Sequence, residues 1–542
     1  MKRVTALRKP GGKIRAAALL LALAILCGGC GAQRVTPVAR VDAEDDGAEK
    51  ILAKAEAGVA PASLYGRVST TERVVSIVLE GFTSEDNMRA LADAVSERGI
   101  PAVFFLGYVD AADYPQTARH IAQRGCELGN YGLDGEKAMQ NSTPLQNARA
   151  FYRAQSAIQL AAERTPAVFR CNGSVYTDEL LRIAAASGLQ AGVQPSEYLN
   201  HRSFSGYQSA LNYVRKLPRG SIVSIKLGQE LDEDEYAGVG DKLDERPAVD
   251  KEPTITNETL FRDDDIYANT LNVVSWLLDA LEAEQFEVVS LSALAHAARM
   301  PPAVHALDER ELALYDSANY SQPVTQGPLG TGASAAVGDG WFDGAVFVGD
   351  FTTQKLQAYV EAARELDPAF FGGARFLARQ GLGAGNALWQ LSEDSEHPAF
   401  EGEFMAIEDA IAAMGGVTSV YLMLGLNDIP YYDEAEFIDN YHTLIELIHG
   451  KTPDAQIRIQ SITPGTAART SAPANGDIFR YDLALARFCA EYGYAYIDVA
   501  SALRDGAGSL PAALCSDPDG LGLQLSDGAV EIWIDYLRTH AS

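Results

Sequence analysis

Hydrophobic and polar positions follow one another along the chain with two different spacings, which predict strands and helices in turn. Residues 74–79 form a strand-like apolar run that only Ser76 interrupts, typical of a strand buried on both faces. Apolar residues at helical spacing follow between residues 87 and 98, and Gly99 ends that pattern before a second apolar run at 101–106. The alternation continues to about Leu294. It predicts parallel strands covered by helices.

Two stretches interrupt this alternation and mark the predicted domain boundaries. Residues 230–265 are rich in acidic residues, Gly and Pro, a composition typical of a loop or disordered insertion. The aspartates at 263–265 suggest a calcium site, but they lack EF-hand spacing and fit a solvated charge run better. Residues 301–340 are predicted to be a linker because their second half is rich in Gly, Ser, Ala and Pro. We therefore predict two α/β domains, at 70–300 and 341–542.

The first 30 residues are predicted to be a targeting segment rather than part of a folded domain. Basic residues precede an uncharged apolar run at 16–26, which is too short to span a bilayer comfortably. Cys30 follows two glycines after this run, an arrangement that resembles the lipobox of bacterial lipoproteins. We predict lipidation at Cys30, with Cys27 as the alternative acceptor and an ordinary secretory signal as the alternative interpretation. Residues 31–69 are predicted to be a tether with one short helix.

The charge balance argues against some classes of partner. The 542 residues include 73 Asp and Glu against 44 Lys and Arg, a formal net charge of -29 at pH 7. This balance argues against nucleic-acid binding, which requires cationic side chains to neutralise phosphates, and against a broad electrostatic attraction to anionic lipid. Cys126, Cys171, Cys489 and Cys515 form no CxxC pair, so no zinc ribbon is predicted. The sequence leaves two alternatives open, which are two disulfides, 126–171 and 489–515, or four buried free thiols.

Four segments of the first predicted domain resemble, in order, the catalytic domain of polysaccharide deacetylases of the NodB type. They are VVSIVLEGFTSEDNMRALADAVSERGIPAVFFLG at 74–107, CELGNYGLDG at 126–135, FRCNGSVYTDELLRIAAASGL at 169–189 and LLDALEAEQFEVVSLSALA at 277–295. The resemblance implies a distorted (β/α) barrel that removes N-acetyl groups from sugars. It also implies a divalent metal, usually zinc, held by one Asp and two His, with a second Asp acting as base.

The chain departs from this family at nearly every position that carries the chemistry. Glu80 and Gly81 stand where the family has its two Asp, and Tyr131 and Gly135 stand where it has its two metal-binding His. A glycine offers no ligand, whereas Glu80 could still act as a base. Arg170 is retained.

The late histidine of the family's last motif corresponds to Lys226. His120 and His201, which lie within the main body of this domain, fall at none of the motifs. A catalytic zinc needs three converging nitrogen, oxygen or sulfur ligands and an open position, and this set of residues does not supply them. We therefore predict a first domain without a metal or other cofactor.

Segments of the second predicted domain resemble the SGNH, or GDSL, hydrolases. They are WFDGAVFVGDFTTQKL at 341–356, VYLMLGLNDIPYYD at 420–433, PDAQIRIQSITPGT at 453–466 and DPDGLGLQLSDGAVEIWIDYLRTHA at 517–541. The resemblance implies a doubly wound α/β/α domain with its site at the carboxyl ends of the strands. It also implies a Ser nucleophile, a His base, an orienting Asp, and an oxyanion site that includes a Gly and an Asn.

The reactive pair of that family is missing. Phe351 stands at the nucleophile position and Gly522 at the base position, so covalent catalysis of this type is not expected. The supporting residues are retained: Asp519 as the orienting acid, and Asn427 and Gly381 at the oxyanion site.

These observations predict a lipid-anchored, cell-surface protein that binds or scaffolds envelope carbohydrate without catalysis. One alternative is an active deacetylase or esterase with a rearranged site, for example with Thr352 as the nucleophile. Another is a purely structural envelope protein. Measurements of turnover and metal content would distinguish an active hydrolase from the predicted binding protein. Glycan binding would distinguish the predicted binding protein from a structural one.

Overall fold

The computed structural model describes residues 47–228, 231, 263–300, 332–392 and 395–541. The predicted signal peptide with Cys30, most of the acidic insertion and the first part of the linker lie outside the described residues. No described helix is long and apolar enough to cross a membrane. The described part forms two α/β units, each with its own parallel sheet.

The first unit alternates strands and helices as the sequence predicts. Its elements, in chain order, are α1 (Gly47–Glu56), β1 (Ser63–Tyr65), β2 (Val74–Glu80), α2 (Glu85–Glu97), β3 (Val103–Leu106), α3 (Tyr108–Asp113), α4 (Pro115–Gln123), β4 (Glu127–Asn130), α5 (Pro144–Ala162), β5 (Val168–Phe169), α6 (Asp178–Ala186), β6 (Ala191–Val193), β7 (Glu197–Leu199), α7 (Tyr207–Lys216), β8 (Ile222–Lys226), α8 (Asp263–Ala283), β9 (Glu287–Val288) and α9 (Leu291–Ala297).

The sheet of this unit is curled and open. Eight parallel strands follow the order β1–β6–β5–β4–β3–β2–β8–β7, and β9 pairs with the start of β2. Because β1 and β7 end this order without pairing with each other, the predicted distorted barrel is a half-barrel. Along β2, Val75, Ile77 and Leu79 contact the helices on one face, whereas Val74 and Val78 pack on the other. The period of two places the last residue of β2 on this second face.

The predicted tether is wrong from residue 47 onward. Helix α1 packs against α5 and α6, with Ala48 and Ala55 buried in the same cluster as Phe151 and Leu180. Strand β1 then pairs in parallel with β6 and extends the sheet. Alanine buries little surface, so a short alanine-rich helix gives a weak apolar pattern even where it packs closely. Residues 47–69 therefore belong to the first unit, and the predicted short helix in this segment is present as α1.

The second unit is a doubly wound domain, as predicted. Its parallel sheet has the order β11–β10–β14–β15–β16, which is the 2-1-3-4-5 order of one common doubly wound fold. Its elements, in chain order, are β10 (Ala345–Gly349), α10 (Phe351–Arg364), β11 (Arg375–Ala378), β12 (Ala399–Phe400), β13 (Glu403–Phe404), α11 (Ile407–Met414), β14 (Ser419–Met423), α12 (Glu434–Lys451), β15 (Gln456–Gln460), α13 (Asn475–Tyr492), β16 (Ala495–Ile497), α14 (Val499–Leu503) and α15 (Asp527–Thr539).

The end of the predicted linker also belongs to the second unit. The backbone N–H groups of Ser334 and Val337 donate to the carbonyls of Thr539 and Arg538, at 2.7 and 2.9 Å. This segment therefore lies along the last turn of α15. Its Gly- and Ser-rich composition suggested a flexible linker, but backbone hydrogen bonds do not depend on side-chain type and leave no trace in the apolar pattern.

Among the contacts between the two units are the bonds of one partly buried arginine. Arg299, two residues after α9, donates from Nε to Ser69 Oγ at 2.5 Å and from its terminal nitrogens to Asp439, Thr443 and Glu446 of α12. Its bond to Asp439 Oδ1 is 3.1 Å long. The first unit thus supplies the cation and the second unit supplies the carboxylates.

The four cysteines of the described part settle the question that their spacing left open. Cys126, Cys171, Cys489 and Cys515 are all buried free thiols, so neither 126–171 nor 489–515 is a disulfide. Burial, with a smaller effect of Asp93, raises the pKa of the Cys126 thiol to about 11. A thiol that stays protonated is a poor nucleophile and a poor metal ligand.

Candidate functional site

The carboxyl end of β2 holds a fully buried carboxylate, Glu80. Its Oε1 accepts hydrogen bonds from Arg170 Nε at 2.9 Å and from Ser224 Oγ at 2.7 Å. Its Oε2 accepts from the Tyr131 hydroxyl at 3.1 Å and lies 3.8 Å from Lys226 Nζ. Both carboxylate oxygens are therefore bonded to side chains of the domain itself. We call these five residues the Glu80 network.

The sheet register brings these residues together. Strands β2 and β8 are parallel neighbours in which Glu80 lies opposite Lys226, and Ser224 precedes Lys226 by two residues on the same face. Tyr131 and Arg170 directly follow β4 and β5, so they reach the same edge. The carboxyl ends of parallel strands meet at one edge of a sheet, which is where sites form in such folds. The network therefore includes Glu80 and Tyr131, which stand at positions that the resemblance assigns to the family's base and metal-binding residues.

The Glu80 network contains two buried cationic side chains, Arg170 and Lys226, and one buried carboxylate, Glu80. Burial would raise the pKa of Glu80, but Arg170 and Lys226, helped by the Ser224 hydrogen bond, outweigh it and hold the pKa below its usual value. Lys226 also donates to Asn172 Oδ1 at 2.6 Å. The ring of Tyr198 lies 5.9 Å from the Arg170 guanidinium and 5.7 Å from Lys226 Nζ.

These residues do not fit the zinc that the resemblance implies. The described residues contain no group of three or more His, Cys, Asp or Glu side chains that could hold a metal. At Gly135 an added Cβ would lie 2.2 Å from the ring of Tyr131, so the tyrosine fills the space where a histidine would stand. Gly81 supplies no side chain, and Glu80 is already bonded to two cations. A metal ion here would meet positive charge rather than ligands.

Two histidines in the main body of this domain, His120 and His201, lie at none of the predicted site positions. His120 Nε2 is 2.7 Å from the carboxylate of Asp93, on the surface formed by α2 and α4. His201 is buried in the turn after β7. The hydrogen bonds of the Glu80 carboxylate come from Arg170, Ser224 and Tyr131.

The second site lies at the carboxyl ends of β10, β11 and β14. Asp350 is the N-cap of α10 and accepts from the backbone N–H of Thr352 at 2.9 Å. Asn427 Nδ2 donates to the carbonyl of Leu382 at 3.0 Å and lies 3.5 Å from Asp350 Oδ2. Asn427, at the predicted oxyanion site, therefore lies close to Asp350, the residue before the predicted nucleophile position. However, Phe351, the first residue of α10, has its ring packed against the apolar core.

The predicted orienting acid is not supported by its placement. Asp519 is exposed, and in the described part its side chain makes no hydrogen bond or ion pair. Asp517, two residues earlier, accepts two backbone N–H bonds of the same loop, both 3.0 Å long. The motif spacing matched Asp519, but the turn of the backbone directs Asp517 into the loop. The spacing of residues along the sequence does not indicate in which direction each side chain points.

The base position is closed to a larger side chain. Gly522 has a φ of +68°, in the left-handed region, and an added Cβ would lie 2.4 Å from Thr466 Oγ1. Gly381, the predicted oxyanion glycine, has a φ of +87°, and an added Cβ would lie 2.9 Å from the carboxyl carbon of Glu396. The positive φ favours glycine at both positions, and at Gly522 the hydroxyl of Thr466 also leaves little room for a side chain.

Two buried carboxyl groups lie at this edge, Asp350 and Asp428, and the sequence reasoning did not single out Asp350. Burial raises the pKa of Asp350 to about 7, against the hydrogen bonds from Thr352 and with a contribution from Asp428. Burial likewise raises the pKa of Asp428 to about 6, although the backbone N–H groups of Gly385 and Ala384 donate to it at 2.8 and 2.9 Å. The available signal was Asp350 itself, since an aspartate between a strand and a helix is a typical N-cap.

Comparison with protein families confirms both resemblances, in the predicted order. Residues 67–192 match the polysaccharide deacetylase family, and residues 336–525 match the GDSL-like lipase/acylhydrolase family. A search of curated proteins finds no match to the chain.

Solved structures with a similar fold include a CE4 family pseudoenzyme from Bacillus anthracis. It is 15% identical, with 45% of this chain and 72% of that chain covered and a TM-score of 0.33. A mutant described as a CE4 family pseudoenzyme with restored enzymatic activity is 16% identical, with 45% and 74% covered and a TM-score of 0.32. A family 4 carbohydrate esterase from Streptomyces lividans is 18% identical, with 40% and 91% covered and a TM-score of 0.29.

The Glu80 network predicts a large loss of stability for Glu80→Gln. The glutamine would remove the negative charge beside the buried Arg170 and Lys226 and would place a donor against the Tyr131 hydroxyl. We expect the free energy of unfolding of the first domain to fall by roughly 3–5 kcal/mol, as when one partner of a buried ion pair is removed. Urea unfolding measures this change.

Lys226→Met is the matched variant for this experiment. It removes one of the two cations but keeps the ion pair between Glu80 and Arg170. We therefore expect a smaller fall in the free energy of unfolding than for Glu80→Gln. In the double variant the two losses should not add, because the substitutions act on one network. A Glu80→Gln variant as stable as the wild type would contradict the network.

The raised pKa of Asp350 predicts a pH dependence of the second domain. An unfolded aspartate ionises near pH 3.9, whereas Asp350 in the folded domain ionises at about 7. Between these values the folded state binds the additional proton, so this contribution to stability is fully present below about pH 4 and is lost as the pH rises to 7. Asparagine has no carboxyl group to ionise. The free energy of unfolding of Asp350→Asn should therefore fall by roughly 3 kcal/mol less than that of the wild type over this pH range.

The measurement is urea unfolding of the wild type and Asp350→Asn at pH 5 and pH 8. Asp454→Asn, at an exposed position with no side-chain hydrogen bond in the described part, is the control and should follow the wild type. An Asp350→Asn variant whose stability changes with pH as steeply as that of the wild type would show that Asp350 is already ionised in the folded domain.

Proposed function

We propose that this protein is a cell-surface lipoprotein whose deacetylase-like and GDSL-like domains bind or scaffold envelope carbohydrate without catalysis. The observation that carries the proposal is the bonding of Glu80. Both of its oxygens are bonded within the Glu80 network, with Arg170 and Lys226 beside it. A carboxylate in this state, with a lowered pKa, has little capacity to accept a proton from a water molecule or to hold a metal.

The second domain supports the same conclusion on separate grounds. Phe351 offers no nucleophilic atom, and Gly522 offers no base. Restoring the pair with Phe351→Ser and Gly522→His would place a Cβ against Thr466 at a residue with positive φ. The orienting acid would also be missing, because Asp519 is exposed. Restored esterase activity is therefore not expected from these two substitutions alone.

Carbohydrate is proposed as the ligand because deacetylase-like domains act on sugars and because aromatic rings flank the Glu80 edge. Phe82, two residues after Glu80, stacks on Tyr114 with ring centroids 4.7 Å apart and an interplanar angle of 15°. Tyr114 is 39% exposed. Exposed ring faces next to polar groups are typical of ligand sites and suit the apolar face of a sugar ring.

The proposal predicts binding without turnover. The chain from Gly31 onward should bind oligomers of N-acetylglucosamine or soluble peptidoglycan fragments in a calorimetric titration. It should release no acetate from them or from a chromogenic acetyl ester, and it should contain less than stoichiometric zinc. Tyr114→Ala should weaken binding about ten-fold, since stacking on an aromatic ring contributes on the order of 1 kcal/mol.

Leu160→Ala is the control for this binding experiment, because Leu160 is 55% exposed on α5 and lies away from the Glu80 edge. Binding without any effect of Tyr114→Ala would place the ligand elsewhere. Acetate release that is lost together with bound zinc would overturn the proposal in favour of an active hydrolase. No binding to any tested glycan would favour a structural protein of the envelope.

The proposed membrane anchor depends on Cys30. Cells that express the wild type should incorporate labelled fatty acid into the protein and retain it in the membrane fraction. Cys30→Ala should abolish both, because the thiol is the only acceptor atom for the thioether-linked lipid at that position. Cys27→Ala is the matched variant and should behave as the wild type. Retention of Cys30→Ala in the membrane would assign the anchor to Cys27 or to another part of the chain.

A further inference from the structure

A separate cavity lies at the edge of the first sheet opposite the Glu80 network. It has a volume of about 260 Å³, and its walls include Cys126, Glu127 and Leu128 on the β4 side and Arg164, Thr165 and Ala167 on the β5 side. Glu127 begins β4, whereas the network lies where the parallel strands end. The cavity therefore belongs to neither of the sites described above.

The cavity exists because β4 and β5 separate at this edge. Strand β4 pairs with β3 over four residues but with β5 only at Asn130 and Phe169. Pro166, just before β5, has no N–H group, and its carbonyl accepts a hydrogen bond from Gln155 Nε2 at 2.9 Å. The ladder cannot continue past this proline, so the two strands diverge and leave a gap.

A backbone donor of β4 faces this gap. Within a parallel ladder, alternate residues direct their N–H and C=O groups to the same neighbour. Asn130 bonds to β5, as shown by the 3.0 Å bond from the N–H of Arg170 to its carbonyl, so Leu128 directs its N–H to the same side. Among the described residues this N–H has no hydrogen-bond partner. An unpaired backbone N–H on a cavity wall is a donor available to a ligand.

Two opposite charges line the cavity without contacting each other. Within the described ranges, neither the Glu127 carboxylate nor the Arg164 guanidinium makes an ion pair or a side-chain hydrogen bond. Desolvation by the cavity wall raises the pKa of Glu127. A carboxylate and a guanidinium that share a cavity but do not pair can each take an ion of opposite charge.

We propose that this cavity binds a small zwitterion, an aliphatic α-amino acid. The Glu127 carboxylate would accept from the ammonium group, and the Arg164 guanidinium with the N–H of Leu128 would donate to the carboxylate. Ala122 and Ala167 provide an apolar part of the wall for the side chain. A volume of about 260 Å³ lies just below the range of drug-sized pockets and suits a ligand of this size.

Calorimetric titration of the full chain with three compounds tests the charge requirement without any substitution. L-Leucine carries both charges, L-leucinamide lacks the carboxylate and N-acetyl-L-leucine lacks the ammonium group. We expect leucine to bind once per chain and at least ten-fold more tightly than either analogue. No binding of leucine, or equal binding of all three compounds, would overturn the proposal.

Substitutions then locate the bound leucine. Glu127→Gln and Arg164→Gln should each weaken leucine binding at least ten-fold, and because both side chains are exposed, the folded domain should be retained. Glu97→Gln, at an exposed carboxylate at the end of α2, is the control and should leave binding unchanged. Leucine binding unaffected by either cavity substitution would place the ligand elsewhere. Tyr114→Ala should not change leucine binding, which separates this result from the glycan-binding test.

Discussion

The first domain is organised around the need to neutralise charge that is buried at the end of β2. Glu80 has no exposed surface, and an ion in such a place is stable only when paired and hydrogen-bonded. Arg170 and Lys226 supply the opposite charge, and Tyr131 and Ser224 supply the remaining bonds. In metal-dependent deacetylases a cation is expected at this edge. Here two side chains bring positive charge to it, so the domain needs no metal there for charge balance.

The second domain also has buried carboxyl groups at the carboxyl ends of its strands. Its edge keeps the buried polar residues that shape the loops, including Asp350 as the N-cap of α10 and Asp428, which accepts two backbone N–H bonds. The packed ring of Phe351 and Gly522 stand at the positions that the resemblance assigns to the nucleophile and the base. Loop-shaping residues also stabilise the fold, whereas nucleophile and base serve only the reaction. A domain can therefore lack the nucleophile and the base and still fold.

The two units are joined by an interaction of the same kind. Arg299 lies at the end of the first unit and bonds to Asp439 and Glu446 on α12 of the second. A guanidinium can bond to several acceptors at once in a fixed plane, so one side chain can constrain the relative position of two domains. A carbohydrate polymer bound at either edge would thus be held relative to both domains.

The sequence by itself determined the two α/β units, their order and the residue types at the positions aligned with the family motifs, because apolar periodicity and residue identity are local properties. It did not determine that residues 47–69 complete the first sheet, since alanine-rich helices and short edge strands give weak patterns. It also could not separate Asp517 from Asp519, because the direction of a side chain depends on the turn of the backbone. Above all, the sequence showed Glu80 and Lys226 only as isolated departures from a family pattern. Strand register placed them side by side, and burial turned them into a charge network, because pairing and desolvation arise only when distant segments pack together.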